Sequence, residues 1–274
     1  ENYKDDKKDG KSTRWHEDGQ IKTEANYKDG NLVDGKQTEW YENGQIKTEA
    51  NYKDGKLDGK ETIWFDNGQI KTEANYKDGK LEGKSTGWRE NGQIESEVNY
   101  KDGDLVSVTD YTYHENGVIS YKGKVKDGKK DGTWTWWYAN GQKSYEVHYK
   151  DGKLDGKETE WYENGQIKTE VNYKDGTSVS HTNYSYYENR QIKTEENYKD
   201  DKKDGKSTRW HKDGQKSYVA NYKDGNLVDG KKTEWYENGQ IKTEANYKDG
   251  KLDGKWTRWY ANGQIKTEAN YKDG

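Results

Sequence analysis

The sequence predicts an all-β protein, an elongated tandem array of antiparallel β-hairpins with repeats of 24–25 residues. Three observations give this prediction. A phrase close to WYENGQIKTEANYKDGKLDG (40–59) returns in about eleven units along the 274 residues. Each copy alternates polar and apolar residues around an Asn-Gly pair, which is typical of a hairpin. The 12 Trp and 24 Tyr recur at regular intervals, which disordered chains of low hydrophobicity do not show.

Regular columns of residues fix the period. One column, here named the aromatic ladder, is aromatic in every unit: Trp15, Trp40, Trp64, Trp88, Tyr113, Trp137, Trp161, Tyr186, Trp210, Trp235 and Trp259. Another holds the turn glycine, which only Arg190 replaces. Repeats of this length form solenoids in which each unit contacts its neighbours. We therefore expect one repeat domain over 1–274, cut from a longer array.

The loop at Glu42–Gly44 decides which residues of a hairpin share a face. A two-residue Asn-Gly turn and a three-residue loop with a left-handed glycine are the alternatives. The three-residue loop is predicted, because it pairs residues of matching chemistry across the strands. These pairs are Trp40 with Ile46, Thr38 with Thr48, and Glu39 with Lys47.

That register gathers the apolar side chains on one face: Thr38, Trp40, Ile46, Thr48, Ala50 and Tyr52. Where the isoleucine becomes Lys143 or Lys216, the next inward residue becomes Tyr145 or Tyr218. We interpret this as compensation within one apolar face. A single sheet must cover such a face, so it is expected to twist into a trough or solenoid.

The unit GKQTEWYENGQIKTEANYKDGKLDG (35–59) resembles the bacterial variant of the MORN repeat (membrane occupation and recognition nexus), whose proteins are often labelled as antitoxins of toxin–antitoxin systems. The resemblance covers essentially the whole chain and departs in two loops, 102–113 and 175–187, which lack the second Asp-Gly. It implies a hairpin-built scaffold that binds protein partners without enzymatic activity. A lipid role is not expected, because the charges alternate in sign.

A weaker similarity is to choline-binding or glucan-binding repeats, whose aromatic hairpins resemble TWTWWYANGQ (133–142). Those repeats are nearer twenty residues long, so the period does not fit. YD-type repeats share the Tyr, Asp and Gly content but close into shells that need a longer chain.

Composition argues against several classes of function. The 48 Lys and Arg nearly balance the 52 Asp and Glu, so no field favours nucleic acid or an anionic membrane as a partner. No stretch is long and apolar enough to span a bilayer. The absence of Cys excludes disulfides and thiolate metal sites.

Candidates for catalysis and metal binding are weak. Three of the five histidines, His16, His114 and His211, occupy the position of Tyr41 and are interpreted as outward surface variants. The sequence has no nucleophile-and-base spacing and no phosphate loop. We predict neither an enzyme nor a cofactor. Asp54 and Asp58 recur in Asp-Gly turns, and turn chemistry explains them without a metal.

Aromatic patches are the stronger lead for binding. Five residues are predicted to form outward-facing patches: Trp134, Trp136, Tyr138, Trp256 and Tyr260. Clusters of exposed aromatic residues mark contacts with proteins, sugars or cationic ligands. The alternative is that a neighbouring loop covers them.

The predicted function is a non-catalytic scaffold for protein–protein interaction that presents an aromatic groove. Two alternatives stay open. One is a subunit that self-associates end to end through open sheet edges into an extracellular filament. The other is a glycan- or choline-binding surface adhesin. The compartment is left open, with the bacterial cell surface or the extracellular space favoured.

Overall fold

The computed structural model describes residues 2–228 and 230–274. These residues form strands and turns without a helix, which confirms the predicted all-β array of tandem hairpins. In this described part there is accordingly no helix of the length and apolarity that a membrane span requires. The strands lie in two compact units, Glu1–Gly132 and Thr133–Gly274. A single domain over 1–274 stays a prediction.

Strands of both units are short and antiparallel. The first unit contains β1 (Tyr3–Lys4), β2 (Lys7–Lys8), β3 (Gly10–Trp15), β4 (Ile21–Lys28), β5 (Asn31–Leu32), β6 (Gly35–Trp40), β7 (Ile46–Lys53), β8 (Lys56–Trp64), β9 (Ile70–Lys77), β10 (Lys80–Leu81), β11 (Gly83–Trp88), β12 (Ile94–Lys101), β13 (Asp104–Tyr113), β14 (Ile119–Lys126) and β15 (Lys129–Lys130). The second unit, which holds all but the first residue of β16, contains β16 (Gly132–Trp137), β17 (Lys143–Lys150), β18 (Lys153–Leu154), β19 (Gly156–Trp161), β20 (Ile167–Lys174), β21 (Thr177–Tyr186), β22 (Ile192–Lys199), β23 (Lys202–Trp210), β24 (Lys216–Lys223), β25 (Asn226–Leu227), β26 (Gly230–Trp235), β27 (Ile241–Lys248), β28 (Lys251–Trp259) and β29 (Ile265–Tyr271).

The longer strands pair with the next long strand along the chain. In the first unit β6 pairs with β7, β7 with β8, and β8 with β9. The two-residue strands extend the pairing past each turn, as β5 does beside β4. Among the described residues of each unit, no pairing returns from its last strand to its first.

The hairpin loop is the predicted three-residue loop. The backbone N–H of Tyr41 donates to the carbonyl oxygen of Gln45 at 2.8 Å, and that of Gly44 donates to the carbonyl of Tyr41 at 3.0 Å. Gly44 is left-handed, with φ of 80°. The side-chain oxygen of Asn43 accepts the N–H of Gln45 at 3.0 Å, which explains why asparagine precedes the glycine.

A β-bulge beyond the loop makes the register differ from the predicted one. Trp40 lies opposite Ile46 as predicted, but the next pair is Glu39 with Thr48, so Lys47 is an extra residue. The predicted pairs Thr38–Thr48 and Glu39–Lys47 are therefore wrong. A bulge of this kind needs no glycine, so the sequence carries no signal for it. The same shift recurs in other hairpins, including β8–β9 and β26–β27.

The bulge divides the apolar residues between the two faces of the sheet. Residues directly opposite each other project to the same face. One face, here named the Thr face, carries Thr38, Trp40, Ile46 and Glu49. The other, named the Ala face, carries Gln37, Glu39, Thr48, Ala50 and Tyr52. The prediction of one apolar face that holds both Trp40 and Tyr52 is wrong.

Each face has its own line of small buried residues. On the Ala face these are Ala25, Ala50, Ala74, Val147, Ala220 and Ala245. On the Thr face they are Thr62, Thr86, Thr135, Thr159, Thr208, Thr233 and Thr257. Longer side chains on either side cover both lines with their aliphatic and aromatic parts.

A second tight turn joins consecutive hairpins. Asp54 and Gly55 both have positive φ, 49° and 75°, as a two-residue type I′ turn requires. After this turn the side chain of Asn51 donates to the carbonyl oxygen of Lys60 at 2.8 Å. The carboxylate of Asp58 accepts the N–H of Asp78 at 3.2 Å. Turn geometry thus accounts for the repeated Asp-Gly pairs.

Candidate interaction surface

The two faces differ in how much their residues vary from one hairpin to the next. Nine hairpins have Trp in the aromatic ladder and align position by position. On the Thr face, the position of Thr38 is Thr in all nine: Thr13, Thr38, Thr62, Thr86, Thr135, Thr159, Thr208, Thr233 and Thr257. On the Ala face, the position of Gln37, here named the Gln37 row, changes: Ser12, Gln37, Glu61, Ser85, Trp134, Glu158, Ser207, Lys232 and Trp256. The position of Glu39 also changes: Arg14, Glu39, Ile63, Gly87, Trp136, Glu160, Arg209, Glu234 and Arg258.

Solvent exposure does not explain this variation. Every residue of the Gln37 row is buried or half-buried. The lysine at the position of Lys36, on the Thr face, is exposed in its hairpins and almost unchanged. Neutral drift would vary the exposed position more than the half-buried one. The Ala face is therefore the variable face of each hairpin.

Ion pairs account for the constancy of the lysine and glutamate positions on the Thr face. Lys11 pairs with Glu24 at 2.8 Å. Equivalent pairs join Lys36 to Glu49, Lys60 to Glu73, Lys84 to Glu97, Lys157 to Glu170, Lys231 to Glu244 and Lys255 to Glu268. A shallow pocket of about 440 Å³ on this face is lined only by repeated positions, including Lys60, Glu73, Trp88 and Ile94.

The position after the ladder residue joins successive hairpins. The hydroxyl group of Tyr138 donates to the carbonyl oxygen of Trp161 at 2.7 Å. His16 and His211 occupy the same position, and their Nε2 atoms lie 3.1 Å from the carbonyl oxygens of Trp40 and Trp235. The interpretation of these histidines as outward surface variants is wrong, because both are half-buried in these contacts.

Part of the predicted aromatic patch is buried by neighbouring side chains. Trp134 is only 7% exposed, and its ring centroid lies 6.2 Å from that of Trp136 and 5.6 Å from that of Tyr149. Trp136 packs edge-on against Tyr145 at 5.3 Å. Both tryptophans lie in one cluster, while Tyr138 bonds to the next hairpin. Ligand binding by these residues stays a prediction.

The second predicted patch is more open. Trp256 is half-buried and lies opposite Ala245 and Ala269 on the Ala face. Tyr260 is 48% exposed, with the ammonium group of Lys266 5.2 Å from its ring centroid. The ladder residues are half-buried apart from Trp15, which is 57% exposed.

Tyr145 and Tyr218 do not compensate for Lys143 and Lys216. Lys216 lies opposite Trp210 on the Thr face, whereas Tyr218 lies opposite Arg209 on the Ala face. The predicted compensation is wrong, because the bulge places the two residues on opposite faces. Lys143 instead holds its ammonium group 5.7 Å from the ring centroid of Trp161.

Two carboxylates that were not predicted as site residues from the sequence, Glu61 and Glu158, lie among tyrosines on the Ala face. Tyr76 lies diagonally across the strand pair from Glu61 on the same face, and Tyr145 and Tyr173 lie diagonally across from Glu158. Burial, and then the charge of Glu61, raise the pKa of Tyr76 to about 12. Burial, and then the neighbouring carboxylate of Glu158, raise the pKa of Tyr145. The available signal was the recurrence of glutamate in the Gln37 row.

Metal binding has no support in the described residues, which contain no group of three or more His, Cys, Asp or Glu placed to hold an ion. The carboxylates of Asp34, Asp155 and Asp204 each accept a backbone N–H from the following turn.

Comparison with solved structures gives only distant likenesses. The crystal structure of TcdB2-TccC3 has a TM-score of 0.33 and 12% identity, over 95% of this chain and 16% of that chain. A Photorhabdus luminescens Tc holotoxin pore has a TM-score of 0.27 and 11% identity, over 96% of this chain and 13% of that chain. The chain spans about a sixth or less of those chains, and likenesses at this level support no argument about function. No curated protein matches.

The MORN repeat variant matches nine segments: 8–29, 33–54, 57–78, 81–102, 130–151, 154–175, 203–224, 228–249 and 252–273. The two longest unmatched stretches, 103–129 and 176–202, hold most of the two loops at which the resemblance departs. The matched segments cover well over half of the chain, so the chain belongs to the family of MORN repeat variants.

Proposed function

We propose that this chain is a non-catalytic repeat scaffold that binds a protein partner through its Ala face. The observation that carries the proposal is the alternation along a single strand. Thr38 stands at a position that never changes in the nine hairpins, while its neighbours Gln37 and Glu39 stand at positions that change in size and charge. A face that only supports the fold has no need of such variety.

The residue types at the variable positions fit a protein partner. They include Trp134, Trp136, Trp256 and several arginines, and Trp and Arg are enriched where protein interfaces gain most of their energy. The predicted aromatic groove is thereby assigned to the Ala face. The ladder tryptophans lie on the Thr face beside internal ion pairs. Bacterial origin and an antitoxin role stay expectations from the resemblance.

The test compares two variants in affinity capture of partners from the source organism. The first variant carries Gln37→Ser, Glu61→Ser and Glu158→Ser, which replace three long side chains of the Gln37 row. Serine already occurs in this row at Ser12, Ser85 and Ser207. In the control, Lys36→Gln, Lys60→Gln and Lys157→Gln change the Thr face. The proposal expects the first variant to lose the captured protein and the control to keep it. The reverse pattern would overturn it.

A further inference from the structure

We infer that Glu61 and Glu158, with the tyrosine rings beside them, each receive a lysine side chain of the partner protein. The inference rests on the proposed function and specifies the chemistry that the Ala face recognises. The two sites lie in different units.

The site at Glu158 combines a carboxylate with aromatic rings. Glu158 is half-buried and lies opposite Val171 in the neighbouring strand. Tyr145 and Tyr173 lie diagonally across from it on the two neighbouring strands, on the same face of the sheet. Trp136 packs against Tyr145 at 5.3 Å, which adds a further ring. Among the described residues, no lysine or arginine forms an ion pair with Glu158.

The site at Glu61 has the same composition. Glu61 is half-buried between Ala50 and Ala74, its opposite residues on the two neighbouring strands. Tyr52 and Tyr76 lie diagonally across from it on these two strands, on the same face of the sheet. In the part of the chain that the structure describes, Glu61 likewise has no ion-pair partner. A half-buried carboxylate beside aromatic faces favours a cation on both counts.

The chain itself fills a comparable place with lysine. Lys203 lies opposite Tyr198, and its ammonium group lies 2.8 Å from the carboxylate of Glu196 and 5.4 Å from the ring centroid of Tyr222. Lys8 similarly holds its ammonium group 5.0 Å from the ring centroid of Tyr27. An ammonium group is therefore accepted among these tyrosines in the two hairpins that carry Lys8 and Lys203.

Beside Glu61 and Glu158 the sequence supplies leucine instead. Leu57 lies opposite Tyr52, and Leu154 lies opposite Tyr149, just as Lys203 lies opposite Tyr198. These hairpins keep the tyrosines and a carboxylate but lack the internal ammonium group. A lysine from outside the chain would complete the arrangement.

The experiment measures binding of a hexalysine peptide to the full chain by calorimetry at low ionic strength, with hexa-acetyllysine as the uncharged probe. Glu61→Gln with Glu158→Gln should weaken hexalysine binding at least tenfold. The charge-matched control is Glu49→Gln with Glu170→Gln, because these carboxylates already pair with Lys36 and Lys157 on the Thr face. The control should change the affinity less than twofold. Equal affinities of the two double variants would overturn the inference, since binding would then reflect net charge alone.

A further double variant tests whether an internal lysine can fill the two sites and exclude the peptide. Leu57→Lys with Leu154→Lys should place an internal ammonium group in each site and reduce hexalysine binding to the level of the glutamine variant. Unchanged affinity in a folded Leu57→Lys, Leu154→Lys protein would also overturn the inference. If the serine variant loses its captured partner while the glutamine variant binds hexalysine normally, the scaffold role stands and the lysine inference falls. If the serine variant keeps its partner, the proposed function itself falls.

Discussion

The hydroxyl group of Tyr41 donates a hydrogen bond to the backbone carbonyl oxygen of Trp64 at 2.7 Å, and so joins one hairpin to the next. The same bond is made by Tyr138 to Trp161, Tyr187 to Trp210 and Tyr236 to Trp259. Phe65 occupies this position in one hairpin and has no hydroxyl group to donate.

Tyr41→Phe should lower the free energy of unfolding by about 1 kcal/mol, because it removes one half-buried hydrogen bond between units. Phe65→Tyr is the matched reverse change and should raise stability by roughly 0.5–1 kcal/mol if the new hydroxyl group reaches the next hairpin. Urea denaturation measures both. Equal stability of wild type and Tyr41→Phe would show that the bond contributes nothing to the array.

Arg190 stands in the left-handed position that glycine fills in the other hairpin loops, with φ of 66°. A side chain in this conformation is strained, so Arg190→Gly should stabilise the chain by roughly 0.5–1 kcal/mol. The control is Gly19→Ala, where an added Cβ meets no atom within 4 Å and only the φ of 86° opposes it. It should destabilise by a similar amount, as measured by the urea midpoint. A destabilised Arg190→Gly protein would contradict the assigned loop conformation.

The raised pKa of Tyr76 on the Ala face predicts a loss of stability in alkali. Tyr76 has its pKa raised from 10.0 to about 12 by burial and by Glu61. Between these values the phenol ionises in the unfolded chain but not in the folded one. Its contribution to stability is therefore complete below pH 10 and is lost as the pH rises to about 12.

Glu61→Gln removes the neighbouring charge and should lower the pKa of Tyr76 toward its ordinary value, which flattens the alkaline fall in Tm. Ultraviolet difference titration of the phenols, together with Tm between pH 8 and pH 12, measures both effects. Glu73→Gln is the control, since Glu73 pairs with Lys60 on the other face. An identical titration of the two variants would contradict the effect of the Glu61 charge on Tyr76.

The parts of the fold that depend on glycine, asparagine and aspartate could be predicted from the sequence. Gly44 follows Asn43 in a loop whose geometry requires positive φ, so the loop and the pair Trp40–Ile46 were predicted correctly. The bulge at Lys47 could not be predicted, because an ordinary residue forms it without strain. This single extra residue moved Thr48, Ala50 and Tyr52 to the other face.

The candidate site was harder to predict for the same reason. Trp134 and Trp136 were assigned from their spacing to the positions that Gln37 and Glu39 hold in another hairpin, and their rings lie 6.2 Å apart. Their contacts with Tyr145 and Tyr149 were not foreseen, because those tyrosines were assigned to the opposite face. The environment of Glu158 was missed through the same slip of one residue.

The division of each hairpin into a constant and a variable face is tested most directly by disulfide formation in a chain that has no cysteine of its own. Two double variants are compared under oxidising conditions: Glu39→Cys with Thr48→Cys, and Thr38→Cys with Thr48→Cys. The register with the bulge places Glu39 opposite Thr48, so the first variant should cross-link and the second should not. Cross-linking of the second variant alone would show that Thr38 and Thr48 share a face, and the separation of the two faces would be refuted.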